Sequence, residues 1–428
     1  MHKLHKVELP FGKGRLEVQA AGKLIDGKMS HAVSDEAGAV QNALDHPIGA
    51  RPLREIVQRG ERVAIIVNDI TRLTRTDLLL PPIVNTLNAA GITDSDIFVV
   101  FALGIHRLQT DDERRLIVGD EMYRRLRMFD HVSTDDASLV EIGTTSFGNR
   151  VEINREVWQA DRIILTGEII YHLIAGYSGG RKSLVPGVAG FRTTTFNHRM
   201  IFDPNSRPGL LDGNPAHEDL EEACRMIDPD FIVNVVLSPE GGVIRVVAGH
   251  WLEAHREGCR TVDEMLRVEV DEPLDLIIGS AGGFPVDIDL RQAHKGLENA
   301  CLALRPGGTI VFYAECPNGA GIKSFEDYVY RYTDELEMKA ALDRDFVVGG
   351  HKAFWIVRLG RKYNVYLVSS LPQEFVERCH FKHVPVDRHQ GVVSELIEKA
   401  GRNANIAVIP HAGFTLPALK PAPERIFA

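Results

Sequence analysis

"DRIILTGEII", residues 161–170, predicts a buried strand, and one residue later begins the glycine-rich segment "HLIAGYSGGRKSLVPG", residues 172–187. Two earlier apolar runs have the same form, "RVAIIV" at 62–67 and "DIFVVFALG" at 96–104. Each is followed by a stretch of helical character, "LLLPPIVNTLNAAG" and "TDDERRLIV", the second opened by a Thr or Asp cap. Strands that alternate with helices in this way predict βαβ units and a largely parallel sheet.

The pattern stops and then restarts in the last third of the chain. A charged, proline-containing stretch, "RVEVDEP" at 267–273, predicts a linker. After it come the strand "LDLIIGSAGG", the helix "LRQAHKGLENACLAL" and the strand "GTIVFYAE". Because 428 residues exceed one ordinary core, we expect an α/β protein of two domains, residues 1–272 and 273–428. Each should be a largely parallel sheet flanked by helices.

Composition excludes several classes of protein. The formal net charge is −10, whereas a nucleic-acid binder is usually basic. No run approaches the ~20 apolar residues of a membrane span, and the N-terminus lacks the apolar core of a signal peptide. Five cysteines, odd in number and far apart, indicate neither a disulfide framework nor a zinc site. We expect a cytoplasmic protein with neither nucleic-acid nor membrane partners.

Polar side chains follow three successive predicted strands, in "NDITR", "GIHRLQT" and "YHLIAGYSGGRK". Ligands of open α/β sheets bind outside the carboxyl ends of the strands. Singly, each residue has an ordinary explanation, such as a helix cap or a surface histidine. Together they predict a site made of Asp69, Arg72, His106, His172, Lys182 and, slightly later, His198.

The glycine-rich segment is close to a nucleotide-binding P-loop but departs from it. The P-loop pattern GxxxxGK[ST] becomes GxxxxRKS from Gly176 to Ser183, with Arg181 where the pattern needs glycine. Pro186 and Gly187 also leave room for only a short helix. An ATPase is therefore disfavoured, although the amides of residues 178–180, with Arg181 or Lys182, could still hold an anion.

In combination these motifs resemble the nickel-dependent lactate racemase family over nearly the whole chain. The matching stretches are "LPFGKG", "NDITR", "GIHR", "HLIAGYSGGRKSLVPGVAG", "NHRM", "GGFPVDIDLRQAHKGLENA" and the "AFW" that ends at Trp355. Ile105 and Leu108 depart from the Thr and Pro more usual in the family, but both flank the histidine of the motif. The resemblance implies a racemase or epimerase with its active site in the cleft between the two domains, the first domain binding the cofactor.

The resemblance also implies a nickel-pincer nucleotide cofactor, a pyridinium mononucleotide that carries sulfur groups. Lys182 would be joined to it covalently, and His198 would ligate the nickel, an ion suited to sulfur and imidazole donors. Arg72 would also reach the substrate carboxylate. The implied cofactor-binding set is Asp69, Ile70, Thr71, Arg72, Ser178, Gly179, Gly180, Lys182 and His198. The partners would then be the proteins that make the cofactor and a small 2-hydroxy acid substrate.

His106 and His172 correspond to the family's acid–base pair. The family's route moves hydride from the substrate C2 to the cofactor while a histidine takes the hydroxyl proton, which leaves a planar 2-oxo acid. Hydride can return to either face, so one base on each side serves the two enantiomers. Histidine suits this task because its ordinary pKa of ~6.5 lets it take and give protons near neutrality.

The second domain would supply further substrate contacts, namely Gln292, Lys295 and Trp355. Arg291 departs from the family, which has tyrosine in that place, and could pair with a second carboxylate. We therefore predict a dicarboxylic 2-hydroxy acid such as malate, with lactate or a sugar acid as the alternative within the family. An ion pair between Asp287 and Arg291 on one helix would explain the arginine equally simply.

Two other functions stay open from the sequence. The three histidines 106, 172 and 198 could hold zinc in a hydrolase, although no HExxH spacing is present. A protein that only stores or senses a nucleotide is the other, although it would not need two histidines and a substrate-binding set. Neither the oligomeric state nor the number of chiral centres in the substrate follows from the sequence.

Overall fold

A computed structural model describes residues 2–28, 30–72, 74–347 and 349–420 of the chain. They form two compact units, named for their place in the sequence: the inner unit (within residues 30–265) and the outer unit (residues 2–28 together with those within 266–420). This division differs from the predicted one, which assigned residues 1–272 to a single domain. The segment predicted as a linker also contains a strand, Arg267–Val270.

Residues 2–28 belong to the outer unit because their strands pair there. They contain β1 (His5–Phe11), β2 (Gly14–Ala20) and β3 (Lys23–Leu24). β1 and β2 form an antiparallel hairpin, while β3 joins the edge of the large outer sheet. Such pairing between sequence-distant segments leaves no pattern in the sequence of either segment alone.

The inner unit follows the predicted alternation of strands and helices. Its elements are α1 (Glu36–Asp45), α2 (Leu53–Ile56), β4 (Val63–Asn68), α3 (Thr76–Ala89), β5 (Ile97–Ala102), α4 (Asp111–Val118), α5 (Asp120–Arg125), β6 (Arg127–Asp130), β7 (Leu139–Thr144), β8 (Arg150–Asn154), α6 (Arg155–Trp158), β9 (Arg162–Glu168), β10 (Tyr171–His172), β11 (Gly176–Tyr177), α7 (Phe191–Arg199), α8 (Pro215–Ile227), β12 (Phe231–Leu237), β13 (Val243–Gly249) and α9 (Glu253–Leu266). The six-stranded sheet has the order β13-β12-β9-β4-β5-β6 and is parallel except for β13.

Strands β4, β5 and β9 are the centre of this sheet. Nearly all their residues are buried, as expected for parallel strands covered on both faces. The predicted helix after β5 is α4, which Thr110 caps through a reciprocal pair of hydrogen bonds with Glu113. Since parallel strands end at the same edge, the segments that follow β4, β5 and β9 lie side by side.

The outer unit is a second α/β layer structure. After residue 266 it contains β14 (Arg267–Val270), β15 (Leu274–Ser280), α10 (Leu290–Cys301), β16 (Leu304–Tyr313), α11 (Lys323–Arg331), α12 (Glu335–Arg344), α13 (Gly350–Lys362), β17 (Asn364–Val368), α14 (Gln373–Arg378), β18 (Lys382–Val384), α15 (His389–Ala400), β19 (Ile406–Ile409) and β20 (Leu416–Leu419). Its main sheet, β18-β17-β16-β15-β19-β3, is parallel throughout. The predicted fold class, two parallel-dominated sheets flanked by helices, is confirmed. Within the described residues, no helix has the length and apolarity needed to cross a bilayer.

Gly22, just before β3, lies closely packed against β19. Its φ is +106°, and a Cβ there would lie 2.1 Å from the carbonyl oxygen of Ile406. We expect Gly22→Ala to lower the free energy of unfolding by about 3 kcal/mol or more, because the backbone must move as well as accept positive φ. Chemical denaturation measures the change.

Gly401 supplies the matched control for this variant. It also has positive φ (+82°), but apart from its chain neighbours no atom of the described residues lies within 4 Å of a Cβ placed there. Gly401→Ala should therefore cost only about 1 kcal/mol, the conformational strain alone. Equal losses in the two variants would show that the approach of β3 to β19 is unimportant for stability.

Candidate functional site

One pocket of the inner unit collects the ends of β4, β5 and β9 together with α7. Its cavity volume is about 100 Å³, and the space up to and including the open mouth is about 750 Å³. Eight of the predicted site residues line it: Asp69, Arg72, His106, His172, Ser178, Gly179, Lys182 and His198. The neighbouring Ile70, Thr71 and Gly180 are not among its lining residues.

Asp69 and His106 form a hydrogen-bonded pair at the pocket wall. Asp69 is 3% exposed, and its Oδ2 accepts a hydrogen bond of 2.5 Å from Nδ1 of His106. Burial would raise the pKa of Asp69, but the contact with His106, helped by Thr71 and Arg72, outweighs burial and holds that pKa below its usual value. The carboxylate therefore keeps the proton of His106 on Nδ1, so the neutral ring has its lone pair on Nε2.

Gln109 holds the loop that carries Asp69, a role that the sequence analysis missed. Its side-chain Oε1 accepts from the backbone N–H of Ile70 at 2.8 Å, and its backbone N–H donates to the carboxylate of Asp130 at 2.8 Å. Asp130 is paired in turn with Arg114 of α4. "GIHRLQT" contains Gln109, but nothing in the sequence indicates that the side chain reaches back 39 residues.

His172 accepts hydrogen bonds at Nδ1, whereas His106 donates one from that nitrogen. It ends β10, and its Nδ1 accepts from the backbone N–H groups of Ile174 (3.2 Å) and Ala175 (3.1 Å). A ring nitrogen that accepts carries no proton, so the neutral ring has its proton on Nε2. His172 and His106 therefore start from different tautomers.

His198 has the tautomer of a metal ligand. It lies in the last turn of α7, and its Nδ1 donates to the carbonyl of Thr194 at 2.7 Å. A backbone carbonyl on Nδ1 keeps the ring proton on that nitrogen and fixes the ring plane, an arrangement common for metal-binding histidines. α7 itself is held by Asn197, whose side chain donates to the buried Asp219 and to the carbonyl of Ala216.

Lys182 lines the pocket as a half-buried amine beside two arginines. Burial, then the positive charges of Arg72 and Arg181, hold its pKa well below the ordinary value of a lysine. A larger share of the amine is therefore neutral and nucleophilic at neutral pH than in an ordinary lysine. Such a group is suited to a covalent attachment.

Arg181 does not have the anion-binding role that the sequence suggested. It is 1% exposed, donates to the carbonyls of Ala175 (2.8 Å) and Tyr177 (3.3 Å), and lies 3.0 Å from Nε2 of His255. The amides of Ser178 and Gly180 are also engaged, with the carbonyl of Ile170 and with Oδ1 of Asn234. Among these candidate anion-binding groups, Lys182 is the cation that lines the pocket.

Asn68 is a further pocket residue that the sequence analysis missed. Its buried Oδ1 has no hydrogen-bond partner within the described part of the chain. Buried polar atoms are nearly always paired, so this oxygen marks a place where a ligand or water would donate. Asn68 ends β4 and is the first residue of "NDITR", so the motif contained it although the list of candidate residues began at Asp69.

The other predicted contacts lie in the outer unit, on α10 and α13. Gln292 and Lys295 are joined by a hydrogen bond of 2.7 Å between Oε1 and Nζ. Arg291 lies 3.8 Å from the helix-capping Asp289, while its buried Nε has no partner among the described residues. The proposed pair of Arg291 with Asp287 does not form, since Asp287 precedes the helix and accepts from backbone N–H groups. Trp355 is half-buried on α13.

The zinc alternative gains no support from the arrangement of side chains. Across residues 2–28, 30–72, 74–347 and 349–420, no three His, Cys, Asp or Glu side chains are grouped as a metal site. His106, His172 and His198 line one pocket, but each has its Nδ1 in a separate hydrogen bond.

The amine of Lys182 should be unusually reactive in the chain expressed alone. We expect acetylation by an activated ester at pH 7 to label Lys182 faster than ordinary half-buried lysines, as followed by mass spectrometry. Arg72→Met should slow this labelling about threefold, because losing a nearby positive charge raises the pKa of the amine. Arg107→Met is the control, since Arg107 is exposed and paired with Glu113. Equal rates in the two variants would contradict the electrostatic explanation.

Comparisons with known proteins identify the family of this chain. Residues 11–209 match the model of the lactate racemase N-terminal domain, and residues 270–415 match that of the lactate racemase C-terminal domain. The lactate racemase of Lactiplantibacillus plantarum is 31% identical over 424 residues, 94% of this chain and 97% of that protein. The lactate racemase of Thermoanaerobacterium thermosaccharolyticum is 32% identical over 337 residues, 77% of this chain and 78% of that protein.

Solved structures share the fold of this chain. The apoprotein of the lactate racemase from Thermoanaerobacterium thermosaccharolyticum superposes with a TM-score of 0.87 at 29% identity, covering 96% of this chain and 100% of that chain. A Thermotoga maritima protein shares the fold at a TM-score of 0.64 and 19% identity, covering 92% of this chain and 100% of that one. The chain therefore belongs to the lactate racemase family of isomerases.

Proposed function

We propose that this protein racemises a 2-hydroxy acid, with lactate as the first candidate. The observation that carries the proposal is the Asp69–His106 pair, which presents an imidazole lone pair in a pocket that also contains Lys182, His172 and His198. The lactate racemases to which the chain is similar over most of its length support lactate as the substrate.

The pocket fits the nickel-pincer nucleotide expected of the family. His198 has the tautomer that a metal needs, Lys182 is a nucleophilic amine, and Asn68 offers an unpaired acceptor. These three residues, with Asp69 and Arg72, would hold the cofactor. When bound, the cofactor would supply a reversible acceptor for the hydride of the substrate C2.

His106 is the residue prepared to take the hydroxyl proton. Its Nε2 lone pair is the free base, and the imidazolium that forms is stabilised by the Asp69 carboxylate on Nδ1. Loss of the hydroxyl proton together with the C2 hydride converts the alcohol to a planar 2-oxo acid. That planar species has lost the configuration of C2.

His172 begins as a hydrogen-bond donor. Its Nε2–H can stabilise the oxygen of the 2-oxo acid, but the ring can take a proton at Nε2 only after the proton moves to Nδ1. Nδ1 faces the amides of Ile174 and Ala175, so the ring must rotate before His172 serves as the base for the other enantiomer. In one direction of the reaction the base, His106, is therefore ready, whereas in the other direction the ring of His172 must rotate first.

A dicarboxylic substrate such as malate is the second candidate, on the evidence of Arg291. Its Nε is buried without a partner, and its ion pair with Asp289 is long at 3.8 Å, so the guanidinium has donors to offer. Nothing in the relatives' names supports malate, and we place it after lactate for that reason.

Chiral analysis of the purified protein, co-expressed with the cofactor-making proteins, tests the proposed reaction. D- and L-lactate, each incubated alone, should converge to an equal mixture. If malate is the better substrate, Arg291→Ala should reduce its kcat/KM about tenfold or more and leave lactate within threefold, since a carboxylate contact is lost. Protein shown to contain nickel that converts neither acid would refute the proposed substrates.

Asp69→Asn should slow racemisation about 100-fold or more in both directions. The amide cannot hold the proton of His106 on Nδ1 as a carboxylate does, and it does not stabilise the imidazolium. Thr71→Val is the control, because it removes one of the hydrogen bonds to Asp69 and leaves the carboxylate in place. We expect that variant to retain at least a tenth of the wild-type kcat. Asp69→Asn with kcat close to wild type would mean that His106 is not the base.

A further inference from the structure

Three consecutive threonines of α7 differ in what their hydroxyl groups bond. Thr193 bonds to the backbone of β8, through a donated hydrogen bond of 2.7 Å and an accepted one of 2.9 Å. Thr195 donates to the carbonyl of Phe191 at 2.8 Å, four residues earlier on the same helix. The hydroxyl of Thr194, between them, has no hydrogen-bond partner within the part of the chain that the structure describes.

This hydroxyl belongs to the wall of the inner unit's pocket. Thr194 is 0% exposed and is one of the residues that line the pocket, whereas Thr193 and Thr195 are not. Asn68 is the other lining side chain with a buried polar atom that lacks a partner among the described residues. Both unsatisfied atoms therefore belong to residues that border the same space.

Packing alone does not account for a threonine at position 194. A buried hydroxyl that bonds to nothing costs free energy, because it has given up its hydrogen bonds to water. Valine has nearly the same shape without this cost. A threonine inside a helix can also bond to the carbonyl four residues earlier, as Thr195 does. The unused hydroxyl of Thr194 therefore indicates a partner that enters the pocket.

The place of Thr194 on α7 indicates which ligand would reach its hydroxyl. His198 follows it by one helical turn, so the two side chains lie on the same face of the helix. The carbonyl of Thr194 accepts a hydrogen bond of 2.7 Å from Nδ1 of His198, and both residues line the pocket. A ligand that His198 holds in this pocket would therefore lie near the hydroxyl of Thr194.

We propose that Thr194 is a further cofactor-binding residue, whose hydroxyl donates a hydrogen bond to the nickel-bearing part of the cofactor. This inference rests on the proposed function, in which the nickel-pincer nucleotide occupies the pocket. The sulfur groups of the cofactor can accept hydrogen bonds, and Thr194 supplies an uncharged donor one turn from the imidazole of His198. One turn of α7 thus contributes both a metal ligand and a hydrogen bond to the group that carries the metal.

Nickel retention by the holoprotein tests this role without requiring turnover. The full chain is co-expressed with the cofactor-making proteins and then incubated with EDTA, and the nickel left per chain is followed by plasma mass spectrometry. Thr194→Val should lose nickel about tenfold faster than the wild type, the effect of one lost hydrogen bond. Thr194→Ser keeps the hydroxyl and should stay within threefold of the wild type. Equal rates in the wild type and Thr194→Val would overturn the proposal.

Thr195→Val is the matched control, because it removes the hydroxyl of the next residue on the same helix, which does not line the pocket. Its rate of nickel loss should stay within twofold of the wild type. The visible absorption of the holoprotein should shift in Thr194→Val but not in Thr195→Val, since a hydrogen bond to the sulfur groups alters their bond to nickel. If both variants lose nickel tenfold faster, the cause is a general loosening of α7, and the proposal is overturned.

Thermal denaturation of the chain expressed without cofactor separates a ligand contact from a structural one. Thr194→Val removes a hydroxyl that has no partner among the described residues, so its Tm should equal or exceed that of the wild type. Thr193→Val removes two hydrogen bonds to β8 and should lower the Tm by about 3 °C or more. An equally large loss in Thr194→Val would show that its hydroxyl has a structural partner, and the proposal would fall.

The proposed reaction and the role of Thr194 fail in different ways. Holoprotein that retains nickel through Thr194 but racemises no 2-hydroxy acid would refute the reaction and leave the binding role standing. Racemisation of lactate by Thr194→Val with the nickel retention of the wild type would leave the reaction standing and overturn the binding role. A wild-type chain that takes up no nickel during co-expression would overturn both.

Discussion

The buried guanidinium of Arg181 is the constraint on which the geometry of the inner unit's pocket depends. It donates to the carbonyls of Ala175 and Tyr177 and contacts His255, and these contacts hold the hairpin of β10 and β11 in place. The N–H of Ala175 in turn donates to His172. The cation therefore holds the segment whose backbone amide donates to His172. Because a buried cation without a carboxylate partner is costly, the hydrogen bonds to neutral groups are essential to it.

The three histidines of the pocket differ because the partner of each Nδ1 differs. A carboxylate faces His106, two backbone amides face His172, and a backbone carbonyl faces His198. In the proposed reaction, the first partner would prepare a base, the second a hydrogen-bond donor and the third a metal ligand. Identical side chains acquire separate chemical roles from atoms that are mostly backbone. A change in the loop conformation would therefore alter the chemistry even if all three histidines remained.

The sequence was sufficient for the fold class and for most of the pocket, for physical reasons. Buried parallel strands are continuous apolar runs, and their carboxyl ends must share an edge, so Asp69, His106, His172 and Lys182 could be placed together. What it could not show depends on long-range contacts. Pairing of β3 with β19, the reach of Gln109 to Ile70, and the inward direction of Arg181 are all fixed by segments distant in sequence. The sequence offered either Arg181 or Lys182 as the cation for an anion, and it could not show that Arg181 is buried while Lys182 lines the pocket.

Arg291 shows how magnitudes bear on the choice of substrate. Its contact with Asp289 is a partly exposed ion pair at 3.8 Å, and such pairs are worth ~0–1 kcal/mol. A bidentate bond to a substrate carboxylate is stronger, so Asp289 does not prevent Arg291 from binding one. A buried, well-formed ion pair with Asp287 would have left Arg291 unable to bind a substrate carboxylate. Asp287 instead accepts from the backbone N–H groups of Gly12 and Glu315, so it does not hold the guanidinium of Arg291. Whether the protein prefers a substrate with one or with two carboxylates therefore depends on the free energy that Arg291 gains when it exchanges Asp289 for a substrate carboxylate.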